Sequence, residues 1–373
     1  MREEFRREAE KRIIIIDGAM GTALQAYRLT EEDFRGERFK EWPSSLQGAN
    51  DILCLTRPEI VMEVHRGYLE AGADLIETNT FNSNRLSLAD YQAEDLAFEL
   101  NKAAAELARK AVEESGRKAW VAGAIGPTNR TLSLSADVNN PGARQVTFRQ
   151  VKEAYLDQVE GLLAGGADCL FIETIFDTLN AKAALIAARE VFEKKRLEVP
   201  ILISVTITDK SGRTLSGQTV EAFWHSIRHS RPLAVGLNCA LGADEMAPYV
   251  AELSRLADTL VSCYPNAGLP NALGGYDETP EQMAGVLERF AENGWLNLVG
   301  GCCGTNPDYI RAIASRMKGK KPRVVPEPVQ TFAVSGLEAF VQNRDTGLIV
   351  VGERTNVTGS PKFAKLIREG NLD

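Results

Sequence analysis

The sequence predicts a (β/α)8 barrel, and three features lead to that prediction. Short apolar runs, typical of strands buried on both faces, alternate eight times with amphipathic helical stretches. The joints from helix to strand are short, whereas those from strand to helix are long and polar, which gathers the long loops at the carboxyl ends of the strands. The length of 373 residues also fits such barrels, which run from about 200 to more than 400 residues.

The strands are predicted from runs of apolar and small residues. They cover 13–16, 75–78, 120–125, 169–173, 201–206, 234–238, 259–264 and 296–301. Several of the helices between them begin at Pro, Thr, Asp or Asn and end near Gly, which are common capping residues. They cover 58–71, 94–114, 147–164, 178–195, 219–229, 244–257, 280–292 and 306–317. A short repeated motif supports this alternation, since Gly-Ala-Asp precedes a predicted strand at both 72–74 and 166–168.

The composition limits the class of protein. The chain has 43 Lys and Arg against 51 Asp and Glu, a formal net charge of −8, which argues against a non-specific nucleic-acid binder. Its apolar runs are too short to cross a bilayer, and the charged N-terminus is unlike a secretory signal. We therefore expect a cytoplasmic protein that binds neither nucleic acid nor membrane. Its six cysteines should be free, buried or metal-bound.

The composition changes after residue 318, where Lys, Pro and Glu dominate a short stretch that is typical of an exposed linker. We expect a barrel domain over residues 1–321 and a linker over 322–346. Residues 347–373 contain one strand-like run at 347–351 and one helical stretch at 361–368, which cannot enclose a core of their own. They are therefore predicted to be the truncated start of a second domain.

Three cysteines at strand ends form the strongest candidate site. Cys239 follows the sixth predicted strand, and Cys302 and Cys303 follow the eighth. Adjacent side chains on a strand point to opposite faces, so the flanking glycines are needed to bring both sulfurs to one ion. Three thiolates with a vacant fourth position are typical of a catalytic zinc site. Such a site favours holding a substrate thiol as a thiolate, and the expected chemistry is alkyl transfer to sulfur.

The alternative for any of these cysteines is a buried apolar role. We take that alternative for the cysteines inside apolar runs, which are Cys54, Cys169 and Cys263. A redox dithiol or a structural zinc site is a further alternative for the adjacent pair at 302 and 303. The first usually has a Cys-X-X-Cys motif at a helix start, and the second normally needs four protein ligands. The three histidines fall in predicted helices and are not expected to bind a metal ion.

Polar residues at other strand ends are the second group of candidates. Asp17, Glu77 and Glu173 end the first, second and fourth strands, and Asp177 follows soon after. Carboxylates there could bind a cationic group such as an α-amine. The alternative is a helix cap or a salt bridge beneath the loops, which we favour for Glu77 and Asp177. Asn266, after the seventh strand, could be a placeholder ligand on the metal or a turn residue.

Six segments together resemble the homocysteine-binding module of the cobalamin-dependent methionine synthases. They are Asp-Gly-Ala-Met-Gly-Thr at 17–22, Glu-Thr-Asn-Thr-Phe at 77–81, Gly-Pro-Thr-Asn at 126–129, Gly-Leu-Asn-Cys-Ala at 236–240, Pro-Asn-Ala-Gly at 265–268 and Gly-Gly-Cys-Cys-Gly-Thr at 300–305. The resemblance covers essentially the whole chain. In addition, Gly-Glu-Arg-Thr-Asn-Val-Thr-Gly-Ser at 352–360 resembles the opening strand of that family's second barrel, which binds methyltetrahydrofolate.

The resemblance implies a set of site residues and a reaction. The residues are Cys239, Cys302 and Cys303 for zinc, Asn266 as a displaceable fourth ligand, and Asp17, Thr78 and Glu173 for homocysteine. The reaction is transfer of a methyl group to the zinc-bound homocysteine thiolate from methylcobalamin, which 5-methyltetrahydrofolate regenerates, to give methionine. The cofactors are then Zn²⁺ and methylcobalamin. The partners are homocysteine and the cobalamin-binding and folate-binding modules of the same enzyme.

The closest alternative is a stand-alone homocysteine methyltransferase that uses betaine or S-methylmethionine. The second-barrel motif at 352–360 argues against it, because a stand-alone enzyme has no need of that segment. The related betaine-dependent enzymes also use a Tyr as fourth zinc ligand, one residue after the Phe of the second-strand motif. Here that position is Asn82, so that Tyr ligand is excluded.

Overall fold

Eight parallel strands form a nearly closed barrel, which confirms the predicted fold class. The structure is a computed structural model and describes residues 1–208, 210–271, 275–328, 331–352 and 356–371. The strands are β1 (Ile14–Ile15), β2 (Leu75–Glu77), β3 (Trp120–Ile125), β4 (Cys169–Ile175), β5 (Ile201–Val205), β6 (Ala234–Gly242), β7 (Leu260–Asn266) and β8 (Leu298–Val299). They pair in the order β1-β8-β7-β6-β5-β4-β3-β2, and a parallel bridge between Ile16 and Leu75 joins the two ends of this order.

The eight predicted helices surround the barrel. They are α5 (Pro58–Ala71), α7 (Ala97–Ser115), α8 (Phe148–Ala164), α9 (Thr178–Lys195), α10 (Val220–Ile227), α11 (Ala243–Leu256), α12 (Pro280–Glu292) and α13 (Pro307–Met317). Helices α5, α9 and α12 have the predicted bounds. For α12, the capping residues explain the agreement. Thr279, directly before the helix, and Gln282, in its first turn, form a reciprocal capping box.

Further short helices fill segments for which the sequence analysis predicts no helix. They are α1 (Arg2–Ala9), α2 (Met20–Gln25), α3 (Glu31–Arg35), α4 (Leu53–Thr56) and α6 (Arg85–Leu88). Helix α1 closes the amino-terminal end of the barrel. Its Phe5 side chain is fully buried, and the Phe5 ring lies 4.7 Å from that of Trp120, the first residue of β3. None of the helices that the structure describes is long and apolar enough to cross a lipid bilayer.

The barrel interior is packed from end to end, so the site lies above it and not within it. At the end opposite to Phe5, the rings of Phe171 and Tyr264 lie 5.4 Å apart. Both side chains belong to one buried cluster that also contains the inward-facing residues of the other strands. A second buried cluster lies between the strands and the surrounding helices. The Tyr264 hydroxyl points to the carboxyl ends of the strands, where it contacts Glu173.

The contacts of the barrel continue past residue 321, the predicted end of the domain. The Arg323 side chain is 4% exposed, and its guanidinium donates hydrogen bonds to the backbone carbonyl oxygens of Ser254, Ala257 and Thr259. Its own backbone carbonyl accepts a hydrogen bond from Asn297. This guanidinium supplies hydrogen bonds to carbonyl groups at the end of α11 and in the segment that leads into β7.

A short segment of the predicted linker also packs on the barrel. Two strands, β9 (Ala333–Ser335) and β10 (Ala339–Val341), form a separate sheet, and residues 334–340 belong to the same compact unit as the barrel. The Leu337 carbonyl accepts a hydrogen bond from the backbone of Thr219 at 3.1 Å, and the Gly336 carbonyl accepts one from Gln218 at 2.8 Å. This segment is therefore tied to the loop that precedes α10.

The other described residues from 331 onward form a second, small unit. It contains α14 (Pro361–Glu369), in agreement with the helix predicted at 361–368. The strand predicted at 347–351 is wrong, since these residues form no strand and Leu348 is 92% exposed. A strand of a parallel sheet needs neighbours on both edges for its backbone groups, and this apolar run has none among the residues that the structure describes. Residues 353–355 of the 352–360 motif lie outside the described residues.

Candidate metal and substrate site

A cavity of about 390 Å³ opens at the carboxyl-terminal end of the barrel strands. Its walls come from the segments that follow β1, β2 and β4 and from the cysteine-containing segments of β6 and β8. This is the end at which the long strand-to-helix loops gather, where barrel enzymes bind their substrates. The cavity holds most of the site residues expected from the sequence.

The structure brings Cys239, Cys302 and Cys303 together on one wall of this cavity. Their sulfur atoms all lie within 4.8 Å of one another, and the Sγ atoms of Cys239 and Cys303 are 3.8 Å apart. All three side chains are half-buried. Among the residues that the structure describes, this is the only group of three or more His, Cys, Asp or Glu side chains able to hold one metal ion.

Irregular backbone at both strand ends allows the sulfurs to converge. In β6 the register with β7 shifts after Asn238, and both Cys239 and Ala240 have a φ of +62°, an uncommon conformation for residues with a side chain. After β8 the chain folds tightly, and a Cβ atom added to Gly301 would lie 2.6 Å from the Thr305 side chain. Such backbone strain is common at functional sites.

An amide side chain within β6, next to Cys239, contacts the cluster. Asn238 is fully buried, and its Nδ2 donates to Thr174 Oγ1 at 2.8 Å and lies 3.8 Å from the sulfur of Cys302. Its Oδ1 accepts hydrogen bonds from the Thr174 backbone and from Ser204. The amide therefore has a fixed orientation, with a donor directed at one of the sulfurs.

The three thiols do not titrate independently. Hydrogen bonds from Cys239 and Cys302 lower the pKa of Cys303 well below that of a free thiol. Hydrogen bonding to Cys239 and Cys303 raises the pKa of Cys302 in turn. The three sulfurs therefore share their protons, which a bound metal ion would displace.

Three carboxylates line the same cavity as the sulfurs. Asp17 and Glu173 are 3% and 6% exposed, and Glu77 lines the cavity beside them. Asp17 accepts a hydrogen bond from the Glu77 backbone at 2.9 Å, and the Tyr264 hydroxyl donates to Glu173 at 3.5 Å.

Burial and mutual repulsion control the ionisation of these carboxylates. Burial first, and then the charge of Glu173, raise the pKa values of Asp17 and Glu77. Burial also raises the pKa of Glu173 to about 7. No Lys, Arg or His is found among the described residues that line the cavity. The arrangement thus favours a bound cation that can replace the retained protons.

Thr78 lies in the cavity wall next to Glu77 and is buried. Its hydroxyl forms a hydrogen bond with that of Thr80 at 2.6 Å and accepts one from the Ala124 backbone at 3.0 Å. These contacts fix the position of the hydroxyl oxygen and connect β2 to β3.

Asn266 ends β7 between the two cysteine segments. The neighbouring Ala267 backbone donates to the Cys303 carbonyl at 2.9 Å, and the Cys302 backbone donates to the Pro265 carbonyl at 2.7 Å. The Asn266 side chain is 3% exposed, and its Oδ1 atom has no hydrogen-bond partner among the described residues. A buried amide oxygen without a partner is uncommon and suggests that another group binds it.

Two carboxylates that the sequence analysis treats alike have different roles. Glu77 faces the cavity, whereas Asp177 caps α9 through the backbone of Leu179. Asp177 also accepts hydrogen bonds from the backbones of Leu132 and Ser133, which hold the loop after β3. The helix-cap interpretation is therefore correct for Asp177. The other three cysteines, Cys54, Cys169 and Cys263, are all buried outside the cluster.

Two tyrosines in the cavity wall, Tyr264 and Tyr276, are absent from the predicted site. Tyr264 adjoins the Pro-Asn-Ala-Gly segment, and its place at the end of a predicted strand is a usable signal. Tyr276 lies in the long segment between β7 and α12, where no periodic pattern indicates which side chain turns inward.

The comparisons with known proteins identify a matching family and similar folds. The family model for homocysteine S-methyltransferase matches residues 14–317. Three forms of the Escherichia coli homocysteine methyltransferase MmuM have similar structures at 23% identity. The metallated form has a TM-score of 0.64 and covers 83% of this chain and 98% of that one. The oxidized form has a TM-score of 0.62 with 82% and 96% covered, and the apo form has 0.59 with 82% and 97%.

The structural likeness at this identity supports the fold. The match to the family model is evidence of family membership as well, because it spans the barrel from β1 to the end of α13 and includes both cysteine segments. The chain therefore belongs to the homocysteine S-methyltransferase family.

Proposed function

We propose that the chain is a zinc-dependent, homocysteine-activating module of the cobalamin-dependent methionine synthase type. It methylates the thiol of homocysteine with methylcobalamin as the methyl donor. The observation that carries this proposal is the pairing, in one cavity, of three converging thiols with a carboxylate cluster that lacks a cationic partner among the described lining residues. Such a cavity suits a molecule with a thiol at one end and an ammonium group at the other.

The spacing of the cysteines supports zinc as the ion. In a tetrahedral site, zinc–sulfur bonds of about 2.3 Å set neighbouring sulfurs about 3.8 Å apart. The Sγ atoms of Cys239 and Cys303 have this separation, at 3.8 Å. Zinc bound by Cys239, Cys302 and Cys303 would lower the pKa of an incoming thiol and hold it as a thiolate.

The fourth position on the ion is assigned to Asn266 when substrate is absent. Its buried Oδ1 atom has no protein partner among the described residues and lies on the strand between the two cysteine segments. An amide oxygen is a weak ligand for zinc beside three thiolates. A substrate thiol can therefore displace it.

The polar end of homocysteine is assigned to Asp17, Glu173 and Thr78. The two carboxylates bind the α-ammonium group, which replaces the protons that burial makes them retain. Thr78 offers a hydroxyl oxygen that its own hydrogen bonds hold in place. These contacts orient the substrate so that its thiol lies near the cysteine cluster.

The methyl donor is assigned from the sequence beyond the barrel. The segment at 352–360 resembles the start of a methyltetrahydrofolate-binding barrel, which accompanies methylcobalamin-dependent enzymes. The cobalamin-binding and folate-binding modules are then its partners. A donor comparison tests this: we expect methylation of homocysteine with free methylcobalamin and none with betaine or S-methylmethionine. Turnover with either of the latter and none with methylcobalamin would reject the donor assignment.

Metal analysis tests the zinc assignment. The purified protein should contain one zinc ion per chain, and the Cys303→Ala variant should lose it while remaining folded, because the site lies above the packed core. Cys263→Ala is the matched control, since Cys263 is a buried cysteine outside the cluster. Full zinc retention by Cys303→Ala would show that the three-thiolate site is wrong.

A further inference from the structure

One wall of the cavity is a turn of polar residues that carries a single large apolar side chain. The turn covers residues 78–83, between β2 and α6, and has the sequence Thr-Asn-Thr-Phe-Asn-Ser. Residues 78–82 line the cavity, and the Phe81 side chain among them is 37% exposed. Aromatic side chains in the wall of a cavity commonly supply its apolar contact with a ligand. The ring of Phe81 is therefore available to a molecule in this cavity.

The ring of Phe81 packs on the backbone of Gly126, the residue after β3. A Cβ atom added to Gly126 would lie 2.9 Å from Cγ of the ring and closer still to the Phe81 carbonyl oxygen, so a larger residue has no room there. The Gly126 backbone also donates a hydrogen bond to that carbonyl oxygen at 3.1 Å. This contact limits the movement of the ring on the side of β3.

A buried carboxylate holds the turn from its other side. Asp51 is 4% exposed and lines the same cavity. Its Oδ1 atom accepts hydrogen bonds from the Asn82 backbone at 3.1 Å and from the Ser83 hydroxyl at 3.0 Å, and these are the two residues that follow Phe81. Hydrogen bonds to an ionised carboxylate are stronger than those between neutral groups. Asp51 thus restrains the chain directly after the ring.

Two fully buried amides from the surrounding helices hold the backbone of the same turn. Gln158 of α8 donates to the Thr80 carbonyl at 2.8 Å, and Asn101 of α7 donates to the Ser83 carbonyl at 2.8 Å. These contacts fix the chain before and after the aromatic residue. The part between them is held by the carboxylate and by the glycine after β3.

We propose that Asp51 is a positioning residue for homocysteine and acts through Phe81. In the proposed binding mode, the thiol lies at the cysteine cluster and the ammonium group at the carboxylates. The two methylene groups between these ends gain free energy from an apolar surface, which the Phe81 ring supplies in the same cavity. Asp51 holds the turn so that the ring stays in the cavity wall. This inference rests on the proposed function, because it takes homocysteine as the ligand.

The Asp51→Ala variant removes the acceptor of both hydrogen bonds and keeps the aromatic ring. We expect zinc-loaded Asp51→Ala to bind homocysteine about five to fifteen times more weakly than the wild type, the range for one or two methylene groups that lose their apolar contact. Asp51→Asn should recover most of the affinity, because its amide oxygen can accept the same hydrogen bonds. Calorimetric titration measures the affinities, and zinc content should stay the same in all three proteins.

The Phe81→Ala variant shows whether the carboxylate acts through the ring. It should weaken homocysteine binding by a similar factor, and the double variant with Asp51→Ala should bind no more weakly than Phe81→Ala alone. Asp74→Ala is the matched control, since Asp74 is 5% exposed and accepts a hydrogen bond from the Ile15 backbone at the other end of the barrel. This control should destabilise the protein and leave homocysteine affinity unchanged.

The outcomes separate this inference from the proposed function. Unchanged homocysteine affinity in Asp51→Ala, or losses that add in the double variant, would overturn the inference. Loss of zinc from Asp51→Ala would overturn it too, because the carboxylate would then support the metal site or the fold. If Asp51→Ala does not fold, Ser83→Ala decides, since it removes one of the two hydrogen bonds and should give a smaller loss of affinity. A wild-type protein that binds neither zinc nor homocysteine would instead reject the proposed function.

Discussion

Asp17, Glu77 and Glu173 are held together in one cavity that offers them no cationic side chain among its described lining residues. Burying like charges without a partner is costly, and this cost raises the pKa values of all three carboxyl groups. In the binding mode that we propose, the ammonium group of the substrate removes that cost and adds hydrogen bonds. The cavity therefore favours an amino thiol over a neutral thiol of similar size.

The variants Asp17→Asn and Glu173→Gln should weaken homocysteine binding while affecting mercaptoethanol little. In the proposed binding mode, each removes one charge-assisted hydrogen bond to the ammonium group, a loss of about 1.5–3 kcal/mol, and mercaptoethanol has no such group. Calorimetric titration of the zinc-loaded protein with both thiols measures the difference. Equal weakening of the two thiols would indicate that the carboxylates act on the metal site or on the fold.

How far the sequence predicts the site depends on where each residue lies relative to a strand. The cysteines and carboxylates directly follow buried strands, and strand ends of a parallel barrel converge, so their grouping follows from the fold. Asn266 is placed by the same reasoning. Tyr276 could not be predicted, because its position depends on a loop that packs against Gly304, and that contact joins segments far apart in the sequence. Which of Glu77 and Asp177 faces the cavity also requires the actual loop conformation.

His65 should make the protein sensitive to acid. It is fully buried in α5, neither ring nitrogen has a partner among the described residues, and burial lowers its pKa to about 4. In the unfolded chain its pKa is about 6.5, so the unfolded state binds the proton first. Its stabilising contribution is therefore present above pH 6.5 and decreases as the pH falls from about 6.5 toward 4.

The His65→Leu variant tests this effect through the free energy of unfolding. Between pH 7 and pH 5, the wild type should lose about 2 kcal/mol more than His65→Leu, because the variant has no proton to bind at this position. Urea unfolding of both proteins at the two pH values measures this difference in the free energy of unfolding. The same change at His229, which is exposed, is the control. Equal losses in the wild type and His65→Leu would show that His65 is protonated in the folded state.

Among the secondary-structure elements, those with continuous patterns are predicted well and those that depend on distant contacts are not. The strand β3 has the predicted bounds because all of its six residues are buried. The strand β6 continues four residues beyond the predicted end at 238, through a bulge that no periodicity reveals. The short helices α2, α3 and α4 have too few residues to be stable alone and form only because the barrel rim supports them.

Helix α1 should stabilise the barrel without contributing to the site. Phe5 is fully buried against Trp120 at the end of the barrel opposite to the cavity. We expect Phe5→Ala to lower the free energy of unfolding by about 3–5 kcal/mol, the usual loss for a buried Phe. Zinc content and homocysteine affinity should not change in the protein that remains folded.

Denaturant unfolding and metal analysis of the same samples measure both parts of this prediction. Phe98→Ala is the control, since Phe98 is 40% exposed and its loss should cost much less. A change in zinc content with Phe5→Ala would indicate that the two ends of the barrel are coupled, and a loss below 1 kcal/mol would show that α1 does not close the core.

At the scale of the whole molecule, the end of the barrel domain is defined by contacts and not by composition. The Lys-rich and Pro-rich stretch after residue 318 predicts a linker, yet Arg323 inside it is buried and donates to three backbone carbonyls. The segment 334–340 then adds hydrogen bonds to Gln218 and Thr219. We therefore propose that the folded barrel domain extends to residue 340, beyond the end at 321 that the sequence suggests.

Proteins of three lengths, ending after Lys321, Pro328 and Phe340, test this boundary. The form that ends after Lys321 lacks Arg323 and its hydrogen bonds to the carbonyl groups of Ser254, Ala257 and Thr259, so it should have the lowest melting temperature. The form that ends after Pro328 should recover most of that loss, and the form that ends after Phe340 should match the full chain. Arg323 lies at the end of the strands opposite to the cavity, and residues 334–340 are not among the residues that line the cavity. Zinc content and homocysteine affinity should therefore be the same in all three.

The Arg323→Met variant of the full chain separates the effect of this side chain from that of chain length. It should reproduce most of the destabilisation seen on ending the chain after Lys321, since Met fills similar volume but donates no hydrogen bond. Identical melting temperatures for the three lengths would place the boundary at residue 321 after all. A loss of homocysteine affinity confined to the forms without residues 334–340 would instead show that this segment, through the loop before α10, supports the site itself.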